Sequence, residues 1–146
     1  MTLLYLVDNS VLQRVHRSEA VRQALLDLLN SGTLASCLPQ RLEEGFSARN
    51  LQDFREITRL AAQARVFLPP EPAVADIAIS LQDKLFAAGM GRAVGVSDLQ
   101  IAATALHHSR DGQQVMIVHY DSDFDHLAAI EPALRTNWIV PQGSVP

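Results

Sequence analysis

Five carboxylates stand where an α/β protein gathers catalytic or metal-binding acids. Asp8 directly follows the apolar run Thr2–Val7, and Asp121 and Asp123 directly follow the run Val115–His119. Both runs read as strands, and open α/β sheets bind ligands beyond the carboxyl ends of their strands. Two strand ends that each carry acids can aim them at one point, although turn chemistry alone also places Asp after a strand. Asp98 opens a helix after Ser97. Ser97 as cap and Asp98 as partner of the helix dipole would account for it, yet Asp98 shares its face with Ala102 and Ala105, a small apolar stripe that should face inward. Glu43 and Glu44 separate by helical geometry. Leu42 and Phe46, four residues apart, mark the expected core face. Glu44 lies about 200° from Leu42 and is expected in solvent, whereas Glu43, about 100° away, sits at the edge where a carboxylate can reach a cleft. Like charges gathered in a cleft repel, and a cation neutralises them. An all-oxygen set without sulfur suits Mg²⁺, with Mn²⁺ as a substitute.

The elements that must position these acids alternate along the chain. Thr2–Val7 is a short, nearly continuous apolar run, as in a strand buried on both faces. Helical patterns follow at Ser10–Val15 and Ser18–Leu29, then a strand at Thr33–Cys37. Pro39 opens a helix to about Ala48, and Asn50 caps another to Ala64 whose stripe is Phe54, Ile57, Leu60 and Ala61. Val66–Leu68 is a third strand. Pro72–Met90 is a long amphipathic helix, the Gly89–Gly95 loop a flexible connector, and Ser97–His108 a further helix. Val115–His119 is the fourth strand and Trp138–Val140 a fifth. The residues after about Pro141 are expected to be irregular and to fray. Strand–helix alternation implies an α/β three-layer sandwich, a mostly parallel central sheet flanked by helices.

Size and composition narrow the classes. The 146 residues, 48% hydrophobic with 19% charged, fit one domain over 1–146 with a single core. One cysteine, Cys37, excludes an internal disulfide and a Cys-rich zinc cluster and suits a cytoplasmic setting. No apolar run is long enough for a membrane span. The formal charge of −4 argues by itself against a simple electrostatic nucleic-acid binder. Lys84 is the only lysine.

Read together, Val7-Asp8-Asn9-Ser10, Leu42-Glu43, Ser97-Asp98-Leu99-Gln100-Ile101-Ala102-Ala103-Thr104-Ala105 and Tyr120-Asp121-Ser122-Asp123-Phe124 resemble the PIN-domain ribonucleases. More narrowly, they resemble the VapC toxins of VapBC toxin–antitoxin modules, over about residues 2–140. The resemblance implies Mg²⁺-dependent hydrolysis of RNA phosphodiesters, with Asp8, Glu43, Asp98 and Asp123 as the catalytic acids and Asp8, Asp98, Asp121 and Asp123 around the metal. Ser10 matches a small hydroxyl residue beside the metal. The resemblance also implies an RNA substrate, a VapB-like antitoxin and a homodimer, for which the small face Ala102, Ala103 and Ala105 could serve as well as for internal packing. His119 departs from the family's usual Thr. It is either a candidate RNA contact or, by preference, a strand-end residue with a local partner. Arg92 in the glycine-rich loop is a candidate RNA contact. His107-His108 ends a helix and suits its dipole.

Two other classes compete. Receiver and haloacid-dehalogenase-like phosphotransfer domains also place Asp at strand ends. The first needs a lysine after its last strands, where Lys84 does not lie, and the second needs Asp-x-Asp where this chain has Asp8-Asn9-Ser10. A catalytically degenerate PIN fold serving as a binding module is the non-enzyme alternative, and retention of every acidic position speaks against it. The five acids account for more than the whole net charge of −4, so the rest of the surface need not repel RNA.

Overall fold

A computed structural model describes residues 1–146. Its strands are β1 (Thr2–Val7), β2 (Thr33–Cys37), β3 (Val66–Leu68), β4 (Gln113–His119) and β5 (Arg135–Trp138). Its helices are α1 (Asn9–Leu12), α2 (Glu19–Leu28), α3 (Leu38–Phe46), α4 (Leu51–Ala64), α5 (Pro72–Ala87), α6 (Val96–His108) and α7 (Asp123–Ile130). All five strands are parallel, in the order β3-β2-β1-β4-β5. Helices cover both faces, as the alternation implies.

The central position of β1 follows from its sequence. Successive side chains of a strand point to opposite faces, and both faces of β1 are apolar. Leu4 and Leu6 join the larger core with Ile117, Leu85, Ile101 and Phe124. Tyr5 and Val7 join the smaller one with Val11, Val21, Val118 and Ile139. The register pairs Val7 with Val118 and Leu6 with Ala35, so the exits of β1, β2 and β4 lie on one edge. The winding reverses between β1 and β4, the position at which such sheets open a crevice.

Several expectations need correction. α5 stops at Ala87 instead of Met90, because Gly89 adopts φ +74° and Met90 N–H turns back to donate to the Leu85 carbonyl. Asp123–Ile130 is a helix that the sequence pattern did not show, seated by Phe124 and Leu127. β5 begins at Arg135, ahead of Trp138. Ala102, Ala103 and Ala105 are in the core, so they offer no dimer face. The tail lacks regular structure but is docked: Tyr120 Oη donates to the Val145 carbonyl at 2.9 Å, and Arg14 Nε donates to the Pro146 carbonyl at 2.9 Å. Arg14 also lies over the Tyr120 ring, 4.4 Å from its centre.

The largest reversal concerns α3 and α4. Leu42 and Phe46 are 63% and 93% exposed, and Phe54 and Leu60 are also exposed, so this periodic apolar face does not meet the core. Glu44, expected in solvent, is instead largely shielded in a two-pronged ion pair with Arg65, at 2.7 and 2.8 Å. Gln40 Nε2 donates to the same carboxylate at 3.3 Å. The pair ties α3 to the end of α4 and so holds the helix that carries Glu43. Removing one partner of a buried ion pair leaves an uncompensated charge, at a cost of about 3–5 kcal/mol. Glu44→Ala and Arg65→Ala are each expected to lower unfolding free energy by about 3 kcal/mol, with the double variant losing far less than the sum. Additive losses in a denaturant titration would contradict this role.

Candidate metal centre

The site begins where β1 ends. Asp8 caps α1, its Oδ2 accepting the Ser10 N–H at 3.1 Å. Its own N–H donates to the Val118 carbonyl at 2.9 Å, which fixes the turn against β4. Ser10 Oγ then accepts the Tyr120 N–H at 2.9 Å, so one hydroxyl joins the exits of β1 and β4. Beyond β4, the Asp121 N–H donates to His119 Nδ1 at 3.2 Å, and Asp121 Oδ1 accepts the Asp123 N–H at 2.9 Å. Asp123 Oδ2 accepts the Gly95 N–H at 3.3 Å, across to the start of α6. Gly95, not Ser97, is the cap residue of α6, and Asp98 lies in the first turn.

Asp8, Asp98 and Asp121 converge, each offering a carboxylate oxygen within 4.8 Å of the others. They line a cleft of about 340 Å³ with Ser10, Glu43, Asn9 and Gln13. Glu43 also borders an adjoining groove with Leu42, Phe46 and Gln100. Asp123 stands beside the trio, its carboxyl hydrogen-bonded to that of Asp98. Asp121, expected around the metal but not among the catalytic acids, is inside the tightest group, with Asp123 flanking it. Asn9 and Gln13 were not singled out from the sequence. Their signal was available, since they lie four apart, Asn9 opening α1 and Gln13 capping its end.

Electrostatics set the chemistry of this cluster. Burial pushes the Asp98 carboxyl up to about 9, and its hydrogen bond with Asp123 and the charges of Asp8, Asp121 and Asp123 push the same way. Burial also raises Asp8, against the hydrogen bonds from Ser10. Asp8 Oδ1 is buried with no hydrogen-bond partner. A buried acceptor is costly to leave unpaired, and Asp8 belongs to a group with two further carboxylates. The donor set is oxygen only, so the residues fit a hard divalent cation.

His119 does not reach a surface. It is fully buried, packed on Phe124 and Trp138 with ring centres 5.0 and 4.9 Å away. That placement removes it as an RNA contact. Burial pushes its pKa down to about 4, so the ring is neutral and its Nδ1 accepts from the Asp121 backbone. Arg92 is exposed on the loop between α5 and α6.

The comparisons agree with this geometry. A family model described as PIN domain matches residues 5–130. The chain belongs to the PIN-domain family. Among curated relatives, Ribonuclease VapC21 of Mycobacterium tuberculosis is 36% identical over 144 residues, covering 99% of both chains. Ribonuclease VapC51 of the same organism is 35% identical over 145 residues, again covering 99% of each. Among solved structures, VapBC2 from Rickettsia felis, bound to a promoter DNA fragment, superposes with a TM-score of 0.72 at 14% identity, over 92% of this chain and 97% of that one. VapBC-1 from nontypeable Haemophilus influenzae gives 0.72 at 19% identity, over 93% and 98%.

The raised pKa of Asp98 has a signed consequence. Between its ordinary value near 3.8 and about 9, the folded state holds a proton that the unfolded state releases. Stability without a cation should therefore fall as pH rises through that window. Asp98→Asn is expected to flatten this slope and to raise cation-free stability at pH 8 by about 0.5–2 kcal/mol. Thermal melts in chelator that show the substitution neutral or destabilising at pH 8 would contradict the assignment.

Proposed function

We propose that the chain is a Mg²⁺-dependent endoribonuclease, the toxin of a type II toxin–antitoxin pair, with Mn²⁺ able to replace Mg²⁺. The observation that carries this reading is the convergence of Asp8, Asp98 and Asp121 at the crevice between β1 and β4, with one Asp8 oxygen buried and unpaired. The full-length similarity to relatives named ribonucleases supports it.

In this reading Asp8, Asp98 and Asp121 hold the cation, and Asp123 takes part by fixing the Asp98 carboxyl and the start of α6. Ser10 keeps the two strand exits at a constant separation. Glu43, at the mouth of the cleft, orients the attacking water against the phosphodiester. Arg92 contacts the RNA backbone. A bound Mg²⁺ supplies acidified water near neutral pH and stabilises charge that develops on the phosphate oxygens.

The exposed apolar face of α3 and α4 fits the partner half of the reading. Leu38, Leu42, Phe46, Phe54 and Phe67 line a groove of about 580 Å³ that adjoins the acidic cleft through Leu42 and Glu43. A VapB-like antitoxin would lay an amphipathic helix in this groove and bring a cationic side chain, such as arginine, to the acids. The VapBC complexes that share the fold support such a partner. A homodimer would use another surface, since Ile79 and Phe86 of α5 are also exposed. No helix is long and apolar enough to cross a membrane, and the reading places the protein in the cytoplasm with its RNA substrate.

Purified chain and RNA, with Mg²⁺ or with chelator, test the proposal. Cleavage should require the cation and fall roughly a hundredfold or more in Asp8→Asn and Asp98→Asn. RNA affinity should also weaken in chelator, because the uncompensated acids repel phosphate. Cleavage at the parent rate in both variants would overturn the assignment. Tight metal-independent binding without cleavage would favour the binding module.

A further inference from the structure

We propose that Glu71, His107 and His108 form a site for a divalent transition-metal ion, Zn²⁺ being the best chemical match. The ion would clamp the start of α5 to the end of α6. This site uses none of the acidic-cleft residues and does not depend on the nuclease reading.

His107 and His108 end α6, and their side chains are only 9% and 10% exposed. The rings meet edge to face, with centres 4.9 Å apart. Both turn an Nε2 toward the same carboxylate oxygen, Glu71 Oε1, at 3.2 Å from His107 and 3.7 Å from His108. A tetrahedral ion with nitrogen and oxygen ligands at about 2.0–2.1 Å holds neighbouring ligands about 3.4 Å apart. The two distances straddle that edge length. The Pro69 carbonyl oxygen accepts the Glu71 N–H at 2.9 Å and the His108 Nε2–H at 3.0 Å, so His108 must release that proton to bind an ion, and water would take the fourth position.

The conformation of Glu71 points the same way. Glu71 occupies the cap position of α5, yet its side chain makes no capping hydrogen bond to that helix and turns to the imidazoles instead. At 42% exposed, it also marks the open side through which an ion would enter. Arg110 Nη2, 3.7 Å from the same oxygen, is a competing cation, but its side chain is 54% exposed and free to swing away. Binding requires both Nε2 atoms unprotonated, so the ring protons would sit on Nδ1 and any Nε2 proton would leave to solvent. Two imidazoles and a carboxylate favour Zn²⁺ or Co²⁺ over Mg²⁺, whereas the oxygen-only cleft favours the hard ion. The two sites should therefore sort metals between them.

The experiment is a Zn²⁺ titration of the full chain in excess Mg²⁺, followed by calorimetry and thermal melting, with Co²⁺ as the spectroscopic probe. The expected result is one Zn²⁺ per chain, a rise in melting temperature, and a Co²⁺ visible band of four-coordinate nitrogen–oxygen ligation. All three should be lost, or affinity lowered at least about tenfold, in His107→Gln and Glu71→Gln, and retained in Asp98→Asn. Glu71→Gln sits on a half-exposed side chain and keeps the fold testable if His107→Gln does not fold. Absence of Zn²⁺ binding would overturn the proposal. So would binding that survives both variants, or binding that disappears only in Asp98→Asn.

Discussion

Mutual repulsion among buried carboxylates is the constraint around which the molecule is arranged. Asp8 and Asp98 are 3% and 9% exposed, and with Asp121 they are held close enough to share one ligand. Left to themselves these groups would separate or take up protons. The fold denies them separation because each leaves a rigid element: Asp8 the most buried strand, Asp121 the adjacent strand, and Asp98 a helix whose inward face is packed with Ile101, Ala102 and Ala105. Protonation remains, and burial among these charges lets Asp98 take it; a bound cation would replace the proton. A site of this kind trades stability for function.

The crevice depends on hydrogen bonds that are neither acid nor apolar. Ser10 Oγ and His119 Nδ1 each accept one backbone N–H just beyond β4, and together they set the path of the chain into Asp121. The ring of His119 is locked between Phe124 and Trp138, so the loop is positioned from the core outward. On the other side, Glu44 and Arg65 secure α3 by a contact outside the acidic cleft. Glu43 inherits its position from that pair, with an apolar groove on the same helix beside it.

What was legible in the sequence was what local pattern encodes. The nearly continuous apolar run before Asp8 marked both the central strand and the acid at its end, and the small stripe behind Asp98 marked an inward-facing helix. Helical periodicity also found the apolar face of α3 correctly. It could not tell whether that face meets a core or waits for a partner, because both need the same residues. Leu42 and Phe46 were therefore placed inside, and Glu44 was placed outside when its true partner, Arg65, lies 21 residues away. The helix at Asp123–Ile130 has only two fully buried side chains, too few for a period to show. His119 reads as a polar strand end, and only the packing of Phe124 and Trp138 around it shows that it is core.

The central claim is that the acidic cluster exchanges a proton for a cation. Calorimetric titration of Mg²⁺ into the full chain near pH 7.5, in buffers of different ionisation enthalpy, measures that exchange directly. With Asp98 held up at about 9 in the cation-free chain, binding should release close to one proton per ion. The release should vanish in Asp98→Asn. Mg²⁺ binding with no proton released by the parent chain would contradict the account.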